Sequence, residues 1–542
     1  MTKFQVLFLL TLLIHVVFAI DRDACAAGIR HDIETQGLNP NNSTFFYHVP
    51  APTDLNGTFS LWLGICLSKC GHGFSWYVGY EISNRIVGWL IPVLVLIGNM
   101  HMPPLGGKYK AFSILHFIGD PIDSMLSLQH TLAVRRAAKV WAEKTVTEHG
   151  LDKLGERVTP QGLATVFWAF DTLNADSKTT PISILGPLLR LKKFPFAIAE
   201  AAADIRNTTV KESMRTYLAI ITYLATVTTA FVKASSSKQQ CDSRPGNRVA
   251  LAMLYCWLLP AILLSTFSAR FTTSDACIRA IRRFVRHLED ETVTEASIFP
   301  AQYHSRFIEK GRTADGVQEV APWSGGIYVY RPRKPLLSSS LPGYPSPVYM
   351  LVLSVLPIII AMCIAIGISY STPTIGFGCR SIAEISIGCM WLFSFLVGLL
   401  LQALPQVTGE VQLVIIGIKD FVMGFGALLV VTFIYSGAFN SCWCWSNGLD
   451  GILNHSLHVL LGVDANLQVN AEKIYPGLVG GGLGAQVAVF GAMWGVGGWG
   501  NMSWWELVGV RREGNRRATV EESAGDDSAV PLVERGPRRN DE

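Results

Sequence analysis

Two charged side chains, Lys419 and Asp420, stand next to each other inside an otherwise apolar stretch, residues 413–435. About 20 apolar residues in a helix cover roughly 30 Å of hydrocarbon, so this stretch is predicted to cross a membrane. An ionised group at that depth is costly unless it is paired, faces water or reaches the surface. Asp420, with Lys419 beside it, is therefore the candidate functional residue, as a contact for a proton, a cation or a substrate.

A structural role explains the same two residues. Lys419 can extend its stem and reach the nearer surface, and Asp420 can hydrogen-bond to a polar group of another helix. Because side chains adjacent in sequence point about 100° apart on a helix, Lys419 and Asp420 are not expected to neutralise each other directly.

A second group of polar residues precedes a predicted amphipathic helix. Asp120 is a predicted N-cap, Pro121 suits the first helical position, and Asp123 has the spacing of a carboxylate that reaches back to the cap. The alternative is that Asp120 and Asp123, together with His116, bind a divalent cation. Capping requires no ion and is the preferred interpretation.

Two cysteines and two histidines follow the 413–435 stretch. Cys442 and Cys444 are two residues apart, and His455 and His458 would share a face of a helix predicted over residues 450–461. Two thiolates and two imidazoles could bind a transition metal. Oxidation of both cysteines to disulfides is the preferred interpretation, because this segment is predicted to lie in an oxidising compartment. No metal or other cofactor is predicted.

No established catalytic motif accompanies these residues. The chain has no Gly-x-Ser-x-Gly, no His-Glu-x-x-His and no P-loop. Whether the protein is an enzyme therefore stays open, and the catalytic residues, if there are any, are unknown apart from Asp420 and Lys419.

The composition indicates an all-α membrane protein with several spans. Half of the 542 residues are apolar, 16% are charged, and the apolar residues occur in blocks. Seven transmembrane helices are predicted. They cover residues 84–102, 216–233, 248–268, 348–370, 386–404, 413–435 and 478–499.

The N-terminal residues predict entry into the secretory pathway. Residues 1–19 have the layout of a signal peptide that is cleaved after Ala19. Residues 20–83 form a predicted small lumenal or extracellular head, which contains cysteines and glycosylation sequons. The predicted glycosylation sites are Asn41, Asn42, Asn56 and, after the sixth span, Asn454. The protein is thus expected in the cell membrane or an endomembrane, with its N-terminus outside.

Basic residues support this orientation. Most of the 45 Lys and Arg residues fall in the segments that the seven spans place in the cytosol, namely 103–215, 269–347, 405–412 and a disordered tail from residue 500 to 542. The net charge of +4 is concentrated on one side, which suits anionic inner-leaflet lipid rather than nucleic acid. Most cysteines fall on the opposite side. We expect Cys442 or Cys444 to form a disulfide with another lumenal segment, because 436–477 is also predicted to be lumenal.

Two helices have distinctive surfaces. A basic amphipathic helix is predicted in the 269–347 loop, and it would lie either on the inner membrane face or on the neighbouring cytosolic segment. The last span repeats small residues every fourth position, as in Gly480, Gly484 and Ala488. Small residues at this spacing let helices approach closely, either inside the bundle or in a homo-oligomer.

Three motifs carry a resemblance. They are residues 101–106 (HMPPLG), 119–124 (GDPIDS) and 437–446 (GAFNSCWCWS), in a chain with a signal peptide and a cysteine-containing head. This combination resembles a group of polytopic membrane proteins of filamentous fungi, some of them encoded beside secondary-metabolite biosynthetic genes. The motifs of that group have no assigned roles, so the resemblance implies a class and no site residues.

The expected function is an accessory role in a fungal specialised-metabolite pathway, acting on or moving an apolar small molecule. The alternatives are a secondary transporter and a seven-span receptor or membrane scaffold without catalytic activity. A G-protein-coupled receptor is disfavoured, because the predicted inside segment 103–215 is far longer than the loop that such receptors have there.

Overall fold

A computed structural model describes the chain at residues 22–36, 45–46, 59–72, 75–76, 90–99, 114–151, 159–173, 181–208, 213–236, 244–268, 274–292, 344–372, 377–404, 409–446, 457–461 and 465–496. These residues are almost entirely helical. In chain order the elements are α1 (Arg22–Gln36), β1 (Phe59–Trp62), α2 (Leu63–Cys70), α3 (Ile91–Gly98), α4 (Pro121–Glu148), α5 (Pro160–Leu173), α6 (Pro181–Leu188), α7 (Phe194–Asn207), α8 (Ser213–Ser236), α9 (Arg244–Leu254), α10 (Leu258–Ser268), α11 (Ser274–Thr292), α12 (Pro347–Ser371), α13 (Cys379–Ala403), α14 (Gly409–Ser436), α15 (Cys442–Trp445), β2 (His458–Leu461) and α16 (Ala465–Val496).

Five stretches of the described chain are long and apolar enough to cross a membrane, and they make the chain a membrane protein. They are Val249–Thr266, Pro347–Ser371, Cys379–Leu401, Val414–Ser436 and Lys473–Gly495. Each overlaps one of the seven predicted spans. The other two stay predictions, because the helix at 216–233 contains a shorter apolar stretch, Thr216–Thr229, and the structure describes only α3 and its immediate flanks within 84–102.

The innermost of the five stretches is not a continuous helix. Val249–Thr266 is 89% buried, and it is interrupted at residues 255–257, between α9 and α10. Pro260 has no backbone N–H to donate to Cys256, which is one physical reason for a break here. Helices α4, α8, α12 and α16 pack around this interrupted span.

A second apolar cluster joins the C-terminal half of α4 to α5, α6, α7 and α11. Helix α11 is the basic amphipathic helix of the sequence. Its apolar side chains Ile281, Phe284, Val285 and Leu288 are buried in this cluster. Arg283 pairs with Asp204 of α7, and the helix thus packs on the neighbouring helical segment rather than offering its apolar face to lipid.

A small head is built from two distant parts of the sequence. Strand β1 pairs antiparallel with β2, so that Phe59 lies opposite Leu461 and Trp62 opposite His458. Disulfides join Cys25 to Cys70 and Cys66 to Cys442, and a third joins Cys379 to Cys444. The prediction that Cys442 or Cys444 bridges to another predicted lumenal segment is confirmed for both cysteines.

The repeated glycines of α16 do not pack inside the bundle, which was one of the two alternatives that the sequence left open. A Cβ added at Gly480, Gly481 or Gly484 would meet nothing within 4 Å, whereas Gly482 packs against Ile364 of α12. The buried face of the helix is instead the one that carries Tyr475, Val479, Gly482, Gln486, Val489 and Met493. The repeat of small residues therefore lies on the outer surface of the bundle.

Candidate functional site

Lys419 of α14 is buried and makes ion pairs with two carboxylates. Its Nζ lies 2.6 Å from Asp120 Oδ2 and 3.2 Å from Asp420 Oδ1, and it also donates a hydrogen bond to the Ser394 carbonyl at 3.3 Å. Two sequence expectations are thus wrong. Lys419 does not reach the surface, and its long, flexible stem lets the ammonium turn towards the adjacent Asp420 although the two Cβ atoms point apart.

Asp120 has two roles at once. As predicted, it caps α4, because Oδ1 accepts a hydrogen bond from the Asp123 backbone N–H at 3.1 Å. Its other oxygen accepts from Lys419 and, at 3.1 Å, from the Ser394 hydroxyl of α13. The cap therefore connects the start of α4 to the two helices α13 and α14.

His116 links the other two carboxylates. Its Nδ1 lies 2.9 Å from Asp420 Oδ2, and its Nε2 lies 3.1 Å from Asp123 Oδ2. Asp123 therefore turns to His116 rather than back to the cap. A neutral imidazole has only one N–H, so while Asp123 and Asp420 are both ionised the two contacts can both be hydrogen bonds only when the ring is protonated. The geometry favours the imidazolium.

We call Lys419, Asp420, His116, Asp120 and Asp123 the ion network. All five side chains are buried, and Asp120, His116 and Asp420 have no exposed surface. With His116 protonated, two cations face three carboxylates, which leaves these five residues with one excess negative charge. Buried charge is costly unless it is balanced. One further proton would bring the five residues to neutrality.

Two glycines allow the chain to place His116 against α14. A Cβ at Gly119 would lie 2.8 Å from the backbone N of Gly424, and a Cβ at Gly424 would lie 2.8 Å from the Leu115 carbonyl oxygen. Neither distance is possible for a real Cβ. The helical turn at residues 114–119 therefore contacts α14 backbone to backbone, which brings His116 within hydrogen-bond distance of Asp420.

Aromatic side chains connect the ion network to the interrupted span. Phe117, next to His116, stacks on Trp257 with ring centroids 5.5 Å apart. Trp391, which is three residues before Ser394, makes edge contacts with both Trp257 and Tyr255. Its indole N–H donates to the Ile118 carbonyl at 2.8 Å. A change of shape at residues 255–257 would therefore act on Phe117 and Trp391, and through them on the neighbouring ion network.

The structure rules out Cys442 and Cys444 as thiolate ligands of a metal, since both are in disulfides. The prediction of a helix over residues 450–461 is also wrong for its last four residues, because His458–Leu461 is a strand. His455 and the predicted glycosylation sites Asn41, Asn42, Asn56 and Asn454 lie outside the described residues.

Asp420 and Lys419 were singled out by the cost of charge in an apolar stretch. The sequence also brought out Asp120, Asp123 and His116, but as a local cap or a separate cation site. Ser394 gave no signal, because a serine in an apolar helix is common.

No protein family, curated protein or solved structure matches this chain significantly.

Proposed function

We propose that this protein is a secondary transporter of the secretory pathway that moves a small apolar molecule, and that protonation of the ion network drives the movement. In this proposal it serves a specialised-metabolite pathway of a filamentous fungus, as the resemblance of its motifs suggests. The observation that carries the proposal is the buried group of three carboxylates and two cations on α4, α14 and the turn before α4.

The charge of the network supports coupling to protons. Ionisable groups inside a membrane are expensive and typically mark ion or substrate pathways and proton relays. A bundle that needed polar contacts for packing alone would be served by neutral hydrogen bonds. The excess carboxylate gives these five residues two charge states, one with and one without an additional proton.

The interrupted span supports transport. Transporters often bind substrates and ions where a membrane helix is discontinuous, because the break frees backbone groups and allows the two halves to move separately. Here the break at 255–257 is buried in the centre of the bundle, and Trp257 contacts Phe117 next to the network. Protonation and a movement of α9 or α10 would therefore be coupled through packed side chains.

The test compares metabolites in cells and medium for a deletion strain and for strains that carry Asp420→Asn or the surface control Glu148→Gln. We expect the deletion and Asp420→Asn strains to retain a finished product that the wild type exports, while Glu148→Gln behaves as the wild type. Immunoblots must show equal amounts of protein. Unchanged profiles in the deletion strain would refute the transport proposal and favour a receptor or scaffold.

An accumulated intermediate with loss of the product from both fractions would also refute transport, in favour of a biosynthetic step.

Proton coupling has its own measurement. Vesicles from the wild-type strain should lose uptake of the product that the deletion strain retains when a protonophore collapses the pH gradient. Uptake that is unchanged by the protonophore would refute the coupling of transport to protons.

The proposal includes the predicted orientation, with the head in the lumen and the tail in the cytosol, and glycosylation at Asn41, Asn42, Asn56 or Asn454. It also includes a homo-oligomer, in which the exposed glycines of α16 pack against a second copy. Glycosidase treatment should increase the mobility of the protein on gels. Cysteine crosslinking at Gly484, compared with Val487 on the same exposed side, tests the homo-oligomer.

A further inference from the structure

Another buried carboxylate, Glu384, lies on α13, away from the ion network. Glu384 is ten residues before Ser394, which corresponds to about 15 Å along a helix, and five residues after Cys379, whose disulfide ties α13 to α15. We propose that Glu384 is a separate proton-binding site at the disulfide-bonded end of the bundle, and that it exchanges its proton with the aqueous phase on the side of the head.

The Glu384 carboxylate is only half satisfied. Its side chain is 1% exposed, and Oε1 accepts a hydrogen bond from the Ser369 hydroxyl of α12 at 2.5 Å. Oε2 is buried and has no hydrogen-bond partner in the described part of the chain. Moving an ionised carboxylate out of water without full compensation costs several kcal/mol, so such a group becomes neutral by binding a proton.

The surroundings of Glu384 are polar and buried. Ser381 lies one turn earlier on the same helix, and its buried hydroxyl likewise lacks a hydrogen-bond partner among the described residues. Thr372 of α12 and Tyr475 of α16 share a hydrogen bond at 2.7 Å. The site thus offers hydroxyl groups that can reorient when the proton arrives or leaves.

One fixed charge favours a proton over a metal cation as the ligand. Arg380, four residues before Glu384 on α13, interacts electrostatically with both Glu384 and Tyr475. An additional Na⁺ would have to lie near this guanidinium, which disfavours it. Releasing the proton instead creates a carboxylate that Arg380 can balance. Arg380 therefore keeps both charge states of Glu384 accessible.

Glu384 shares its helix α13 with Ser394, which donates to Asp120 of the ion network, but no contact joins Glu384 to the network among the described residues. The proton site at Glu384 does not depend on the proposed transport, because a carboxyl group can bind and release a proton whether or not a solute moves. If transport is also correct, Glu384 is the group that exchanges protons on the side of the head.

Infrared difference spectroscopy on the full-length protein in lipid nanodiscs tests the proposal. Both pH values stay above about 6, where exposed carboxyl groups remain ionised, and the spectrum at the lower pH minus that at the higher should contain the C=O stretch of a protonated carboxylic acid. We expect Glu384→Gln to remove the equivalent of one carboxyl group from this band. The surface control Glu148→Gln should leave the band unchanged. Ser369→Ala keeps the carboxyl group but removes the hydroxyl that donates to Oε1, so it should preserve the amplitude and shift the titration midpoint.

Three results would overturn the proposal. An identical band in the wild type and Glu384→Gln would mean that Glu384 does not change its protonation. A carboxylic acid band that only Glu384→Gln removes, but that no pH change removes, would mean a permanently neutral structural group. Loss of the band on adding NaCl at constant pH would mean that sodium competes for the site, contrary to a site for protons alone. If Glu384→Gln does not fold, an unshifted midpoint in Ser369→Ala contradicts the proposal instead.

Discussion

Lys419 Nζ lies 2.6 Å from Asp120 Oδ2, although 299 positions separate the two residues in the sequence. This ion pair joins the N-terminal end of α4 to α14 inside the bundle. Lys419 is also the cation that Asp120 and Asp420 share.

Removing the shared cation should destabilise the protein strongly. Lys419→Met leaves Asp120 and Asp420 buried without it, and breaking a buried ion pair costs about 3–5 kcal/mol. The double variant Lys419→Met with Asp120→Asn should cost less than Lys419→Met alone. Thermal unfolding of the purified protein, followed by tryptophan fluorescence, measures both. Lys144→Met, on the surface, is the control, and equal or additive losses in the double variant would contradict the pairing.

Inserting a methyl group between two backbones in close contact should separate His116 from Asp420. Gly424→Ala places a Cβ about 2.8 Å from the Leu115 carbonyl oxygen, so the turn at residues 114–119 must move away. Overpacking of this kind typically costs about 1–3 kcal/mol. Gly491→Ala, where the added methyl meets nothing within 4 Å, should have little effect on the unfolding temperature. A similar loss for both substitutions would show that the close approach is not needed.

The disulfides should account for much of the stability of the head. Cys66–Cys442 closes a loop across 376 positions, and removing a native disulfide typically costs about 2–5 kcal/mol. We expect Cys442→Ser to make the head sensitive to limited proteolysis, while Cys363→Ser, at an exposed free thiol, does not. A non-reducing peptide map should contain the Cys66–Cys442 and Cys379–Cys444 peptides. Free thiols at these four positions would refute the arrangement.

Helix α11 should depend on its protein contacts rather than on lipid. Phe284 is buried against Phe170 and Phe194, and Phe→Ala in a core typically costs about 3–5 kcal/mol. Arg283→Ala removes only a partly exposed ion pair, worth up to about 1 kcal/mol. We therefore expect a large drop in unfolding temperature for Phe284→Ala and a small one for Arg283→Ala. The reverse order would indicate that the Arg283–Asp204 ion pair, rather than apolar packing, holds this helix.

The sequence predicted those features that depend on local chemistry. Asp120 caps α4 as its spacing implies, and each of the five described spans overlaps an apolar block. The position of Lys419 and Asp420 also marked them as unusual. What the sequence could not provide was the identity of their partners. Asp120, Asp123 and His116 are fully explained as a local cap or a separate cation site, so nothing in the sequence indicates their contacts with α14.

The strand at His458–Leu461 was missed for a similar reason. Its partner β1 lies about 400 positions earlier, so no turn signal connects the two strands and periodicity over four residues cannot separate strand from helix. For α16 the sequence left two alternatives open, packing inside the bundle and a homo-oligomer, because the spacing of small residues shows where helices could approach but not whether the neighbour belongs to the same chain.

The construction of the head from residues near both ends of the chain has a consequence for biosynthesis. When β1 and Cys66 leave the ribosome, β2 and Cys442 have not yet been translated, and α4 to α14 must be made in between. The head can close only after nearly the whole bundle exists. A nascent or truncated chain therefore carries an open head with unpaired thiols, which chaperones and degradation enzymes can recognise. A closed head, in contrast, forms only in a chain whose intervening helices have been made.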